Sequence, residues 1–181
     1  GFGASLLNDC KYGHDCAGGV LRLSLLRSPS TPDPEADRGE HEFTYAIYPH
    51  AGGWREALTV RAGLELNVPL RAAPAPRGDG RLGPSCSLIS VDAPNVILEA
   101  VKAAEDSDDV VLRLYEAHGA RAGARLRTLL PVSSARETDL LERGGRGLST
   151  SRRDGALELA LEFRPFEIKT IVLRLRGRRR T

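Results

Sequence analysis

Apolar and polar residues alternate along much of this chain, and the density of the alternation changes near residue 71. Before that point the pattern predicts a few separated elements. Ala4–Leu7 is a short apolar run that ends in Asn8-Asp9, residue types that favour turns. Val20–Arg27 places Leu21, Leu23 and Leu25 on one face, the period of two expected of a half-buried strand. Glu42–Tyr48 carries Phe43, Tyr45 and Ile47 on one side and Thr44, Ala46 and Tyr48 on the other, which predicts a strand buried on both faces. Trp54–Leu66 is the helix candidate, with Gly53 at its cap and Leu58, Ala62 and Leu66 on one face. Pro29, Pro32 and Pro34 forbid helix and ladder alike across Ser28–Gly39, so a long ordered loop is expected there.

The stretch 71–85 is rich in Ala, Pro, Gly and charge and reads as a linker. Beyond it the rhythm is dense. Ser87–Val91, Val96–Ala103, Val110–Glu116, Ala124–Leu130, Ala156–Phe163 and Ile168–Leu175 each alternate between Gly, Asp or Pro turns. Short strands at that spacing predict an immunoglobulin-like β-sandwich. The expected organisation is therefore all-β with one short helix: residues 1–70, a linker at 71–85, a sandwich at 86–176 and a basic tail at 177–181.

Composition changes this picture little. The 181 residues are 41% hydrophobic and 28% charged, as in a folded soluble domain. No apolar run approaches the ~20 residues of a membrane span, so no membrane partner is expected. A net charge of +2 does not call for a polyanion. Arg174, Arg176, Arg178, Arg179 and Arg180 crowd the C-terminal end without an interleaved aromatic, so nucleic acid is not an expected partner either. With no Met, and opening on what reads as the middle of a strand, the sequence is expected to be part of a longer chain. Three Cys and no leader fit a reducing compartment, hence a cytoplasmic location. Cys10, His14 and Cys16 invite a zinc site, but one cluster of three is too few for a closed tetrahedral shell.

Candidate chemistry gathers in Asn8–Asp15. Asp9, Lys11, Tyr12 and His14 follow an apolar strand directly, and carboxylate, ammonium and phenol all hydrogen-bond to sugar hydroxyls. A tight turn with Gly13 at positive φ and solvated side chains is the plainer alternative. The acids Asp33, Glu35, Asp37 and Glu40 read as a solvated set paired with Arg38 rather than as an acid/base pair. Asp106, Asp108 and Asp109 lack the Gly and Glu of a calcium loop and read as a polar turn. His41 and His50 read as packing or loop-anchoring residues.

Several long blocks resemble one family in order along the chain. Leu6-Leu-Asn-Asp-Cys-Lys-Tyr-Gly-His-Asp, Val20-Leu-Arg-Leu-Ser-Leu-Leu-Arg-Ser-Pro and Pro32–His50 are similar to the C-terminal region of family 38 α-mannosidases, in the branch of bacterial and cytosolic enzymes. Glu99–Asp109, Val111-Leu-Arg-Leu-Tyr-Glu, Glu137-Thr-Asp-Leu-Leu-Glu and Arg164-Pro-Phe-Glu-Ile-Lys-Thr extend the resemblance. It implies that residues 1–70 end a large mutarotase-like β-sandwich and that residues 86–176 form a small terminal sandwich. It also implies retaining hydrolysis of terminal α-mannose by an N-terminal barrel carrying zinc and two Asp carboxylates. Those barrel motifs lie outside this chain, so no catalytic residue and no metal ligand is expected within it. The implied partners are that barrel, in the same polypeptide, and mannose-containing oligosaccharides, with a homo-oligomer left open. Asp9, Lys11, Tyr12 and His14 are the expected substrate-binding residues, in a loop that nears the active site from the C-terminal side. Cys10 and Tyr12 stand where secreted relatives carry Arg and Gln. The competing reading is a stand-alone carbohydrate-binding or structural, oligomerising β-sandwich module.

Overall fold

A computed structural model describes residues 1–74, 78 and 83–176. The chain divides into two compact units, Gly1–Pro74 and Ala75–Thr181. The basic tail at 177–181 and residues 75–77 and 79–82 of the expected linker lie outside the described residues.

In the N-terminal unit, β1 (Phe2–Asn8) pairs antiparallel with β4 (Tyr45–Ala51), and β2 (His14–Ala17) with β3 (Val20–Leu23). The β2–β3 hairpin turns on Gly18 and Gly19, at φ 58° and 74°, the left-handed pair that lets a two-residue turn follow the strand twist. Helix α1 (Thr59–Asn67) lies against β1. Ser5 Oγ is hydrogen-bonded to Thr59 Oγ1 at 2.9 Å and to His50 Nε2 at 3.0 Å. Tyr48 donates its hydroxyl to Ala57 O at 3.1 Å. One face of the ribbon is thereby covered.

The other face is not. Register places Phe2 opposite Ala51, Ala4 opposite Pro49 and Leu6 opposite Ile47. Phe2 is 95% exposed, Ile47 72% and Tyr45 53%. The expectation of a strand buried on both faces is therefore not met within this chain. Nor is β3 half-buried: Val20 and Leu21 are exposed, and Leu23 alone of its residues is partly covered. The helix begins five residues later than its periodicity suggests. Leu58 sits at φ 52°, and Trp54–Leu58 is wound into turns begun by Gly53, whose N–H donates to Glu56 Oε2.

The C-terminal unit is a closed sandwich. One sheet has the order β10-β9-β13-β7-β6 and the other β11-β12-β8-β5, with β5 Ile89–Val91, β6 Val96–Ala103, β7 Val110–Glu116, β8 Ala122–Thr128, β9 Val132–Thr138, β10 Arg146–Leu148, β11 Thr150–Arg153, β12 Ala156–Phe163 and β13 Ile168–Leu175. Leu112, Leu114, Ile171 and Leu173 from the first sheet meet Leu126, Leu157, Leu159, Leu161 and Phe163 from the second. Each fully buried Leu contributes about 1.5–3 kcal/mol of transfer free energy.

Strand β9 has no alternating pattern, and its residues explain why. The pairing with β13 shifts register between Arg174 and Leu175. Val132 and Ala135, an odd number of positions apart, are consequently both buried.

One end of the sandwich is tied by a carboxylate. Glu116, fully buried, accepts from Asn95 Nδ2 (2.9 Å) and from the backbone N–H groups of His118, Gly119, Ala120 and Phe166 (2.8–3.1 Å). Burial alone would raise its pKa. The Phe166 and His118 N–H groups, Asn95 and Ala120 outweigh that effect and lower it to about 2. Gly119 is at φ 71°, and an added Cβ would stand 2.7 Å from the Phe166 ring. The positive φ is what calls for glycine in the turn after β7, with the exposed Phe166 ring lying over it.

Candidate functional site

The four residues singled out between Asn8 and Asp15 divide into two framing residues and two facing residues. Asn8 Oδ1 accepts from Lys11 N at 2.6 Å, closing a turn straight after β1. Asp9 continues the β1–β4 ladder: its N–H donates to Thr44 O, and its carboxylate accepts from Thr44 N at 2.9 Å. The Cys10 thiol first, and Thr44 after it, hold the Asp9 carboxyl below its ordinary pKa. The same carboxylate pushes the Cys10 thiol up. His14 opens β2, where its Nε2 meets Asn8 Nδ2 at 3.0 Å and its Nδ1 meets Tyr12 O at 2.9 Å. Asn67, at the end of α1, donates to Asn8 O at 3.1 Å and braces the turn from the helix.

Gly13 does not have a positive φ. It is required by close approach instead: an added Cβ would stand 2.9 Å from Ser24 Cβ, where Ser24 N donates to Gly13 O.

Lys11 and Tyr12 are turned to an open hollow of about 770 Å³. Tyr12 is 94% exposed, and the Lys11 ammonium lies 4.4 Å from the centre of the Phe43 ring. Arg27, Asp37 and His41 join them along the wall. These three come from the Pro-rich loop and its flank, and sequence reasoning did not place them beside Tyr12. The length of that loop was the available signal. Asp37 is partly committed, its carboxylate accepting from Ser28 N at 2.8 Å and its carbonyl meeting His41 Nε2 at 2.8 Å. The expected Arg38 pairing forms with Glu35 at 3.2 Å. His50, bonded to Ser5, and His41 both act as anchors, as expected.

The hollow therefore offers an ammonium, a phenol and a guanidinium together with the Asp37 carboxylate and the His41 imidazole. Such a mixed set of donors and acceptors suits a polyhydroxylated ligand. Among the described residues, no three His, Cys, Asp or Glu side chains converge to hold a metal ion. Cys10, Cys16 and Cys86 are free and exposed. No described helix is long and apolar enough to cross a membrane.

Residues 1–35 match the glycosyl hydrolases family 38 C-terminal domain, and residues 95–171 match the glycosyl hydrolases family 38 C-terminal beta sandwich domain. The second match coincides with the closed sandwich. This chain belongs to glycoside hydrolase family 38, as its all-β C-terminal region. Among relatives, it is 47% identical over 176 residues to alpha-mannosidase 2C1 of Homo sapiens, covering 96% of this chain and 16% of that protein. It is 35% identical to alpha-mannosidase G of Dictyostelium discoideum, over 93% of this chain and 16% of that protein. It is 36% identical to alpha-mannosidase of Saccharomyces cerevisiae, over 94% of this chain and 17% of that protein. The chain spans about one sixth of the length of the curated relatives it matches.

Proposed function

We propose that this chain is the accessory C-terminal β portion of a retaining, zinc-dependent α-mannosidase that removes terminal α-mannose from oligosaccharides. The observation that carries the reading is the 47% identity to an alpha-mannosidase across 96% of the chain. The uncovered apolar face of the β1–β4 ribbon supports it physically. A two-stranded ribbon is marginal by itself, and Phe2, Ala4, Leu6, Ile47 and Pro49 together form a face that a further sheet layer of a larger sandwich would bury. The catalytic carboxylates and zinc are assigned to the preceding part of the polypeptide, as the family resemblance implies.

In this reading, residues 1–70 end the mutarotase-like sandwich, 71–85 link, and 86–176 close the molecule. Asp9 and His14 set the Asn8–Asp15 turn, from which Lys11 and Tyr12 reach the sugar. The three free, exposed thiols suit a cytoplasmic enzyme. The test is release of the aryl group from an aryl α-mannoside. The complete polypeptide is expected to be active, to lose activity to a zinc chelator and to regain it with zinc, while this chain alone is inactive. An inactive complete polypeptide, or an active isolated chain, would overturn the proposal.

A further inference from the structure

The block Glu137-Thr-Asp-Leu-Leu-Glu is not used by the hollow at Tyr12, and it builds a second surface feature. The turn between β9 and β10 is folded back over the outer face of the five-stranded sheet and held there from several sides. Asp139 Oδ1 accepts from Leu141 N and Arg143 N at 2.9 and 2.8 Å. Glu142, at φ 65°, receives Lys102 Nζ at 2.8 Å and Glu105 N at 3.0 Å. Arg113 donates to Leu140 O at 2.8 Å, and Arg136 donates to Gly144 O at 2.7 Å. At Gly145 an added Cβ would stand 2.2 Å from Glu137 O.

All this polar bracing presents two leucines to solvent. Leu140 is 53% exposed and Leu141 67%, and neither belongs to the core cluster. With Ile168, 58% exposed, they wall a hollow of about 470 Å³. Thr170 also lines it, only 2% exposed, and its Oγ1 has no hydrogen-bond partner. A buried unpaired hydroxyl is costly. A braced apolar rim around it is the arrangement of a preorganised anchor pocket at a protein interface.

We infer that this hollow is where the terminal sandwich docks onto the preceding part of its own polypeptide. An apolar side chain from that part seats between Leu140, Leu141 and Ile168, and a polar group meets Thr170 Oγ1. The inference rests on the reading of this chain as the end of a longer enzyme. The matched relatives are about six times its length, so most of the surface available to cover the rim lies in the preceding part.

Two variants test it, each made both in the complete polypeptide and in this chain. Leu141→Asp is expected to lower the melting temperature of the C-terminal sandwich within the complete polypeptide by about 5 °C, since it places a charge in an apolar contact, and to leave this chain within about 1 °C. Thr170→Val is expected to change sign: neutral or stabilising in this chain, where it removes an unpaired hydroxyl, and destabilising in the complete polypeptide. An unchanged complete polypeptide would overturn the inference. So would an equal loss in both contexts, which would mark packing within this chain. A loss accompanied by conversion of a dimer to a monomer in light scattering would assign the rim to a second copy instead. Melting does not require turnover, so an inactive but normally docking polypeptide would sink the α-mannosidase reading alone.

Discussion

In Ala75–Thr181, two sheets close on a shared core of leucines, isoleucine and phenylalanine, and a buried carboxylate ties one end. In Gly1–Pro74, no described residue is buried, and a two-stranded ribbon carries a helix on one face and exposed Phe2 and Ile47 on the other. Both units are strand-rich, but only the first completes its own layers. A sheet is stabilised by what its faces bury. The N-terminal unit therefore leaves the larger share of its apolar residues exposed, and it is also the part that carries the candidate turn.

Substitutions of matched size should separate the units most strongly. Leu112→Ala, in the closed core, is expected to cost about 2–5 kcal/mol, read from urea unfolding of the chain. Ile47→Ala on the open face of the ribbon, where Ile47 is 72% exposed, should cost less than about 1 kcal/mol in this chain. Equal costs would dissolve the contrast.

The carboxylate tie adds a pH dependence confined to the C-terminal unit. The Glu116 carboxyl is depressed from its ordinary 4.5 to about 2. The folded state thus binds this proton less readily than the unfolded state. Its contribution, about 3 kcal/mol, is present above pH 4.5 and lost as pH falls toward 2. Unfolding at a series of pH values should show that loss, and Glu116→Gln should flatten it. A variant with the same acid limb as the unsubstituted chain would show that another group is responsible.

The turn at Asn8–Asp15 should divide along its own frame. In the complete enzyme Tyr12→Phe or Lys11→Ala is expected to lower kcat/KM about tenfold to a hundredfold, the loss of roughly 1.5–3 kcal/mol of hydrogen bonding in the transition state, with Tm unchanged. Asp9→Ala should lower Tm, because its carboxylate is spent on Thr44. A Tyr12→Phe enzyme with unaltered kinetics would leave the turn a structural feature only.

The smallest effect is a matter of access rather than energy. Limited proteolysis is expected to cut within 71–85 before either unit. Earlier cleavage inside β6, β7 or β13 would break the two-unit description.

The strands β6, β7, β12 and β13 fall on the residues where the apolar pattern predicts them, because each is long and most of its apolar residues are drawn into the sandwich; β13 is buried on both faces from Lys169 to Leu173. The shorter β10 and β11 leave too few residues for a period, and the bulge in β9 erases one. Sheet membership could not be read locally at all. The chain passes from one sheet to the other at β5–β6, β7–β8, β8–β9, β10–β11 and β12–β13, and a strand's own pattern says which residues are buried but not against which partner. The candidate turn was visible as a polar cluster. Its division into Asp9 and His14 as frame, and Lys11 and Tyr12 as facing groups, depends on Thr44 and Asn67, which reach it from other elements, and on Asn8 at its start.

The sequence by itself determined the class of fold, the family and the position of the polar turn, since these follow from local periodicity, residue type and order along the chain. The tertiary structure alone decided that one ribbon face is left uncovered, that Glu116 is consumed by five donors from separate segments, and that two braced leucines surround an unpaired hydroxyl. Each of these draws on residues far apart in sequence, such as Asn95 and Phe166 around Glu116, whose proximity is fixed by the tertiary fold and not by neighbouring residue types.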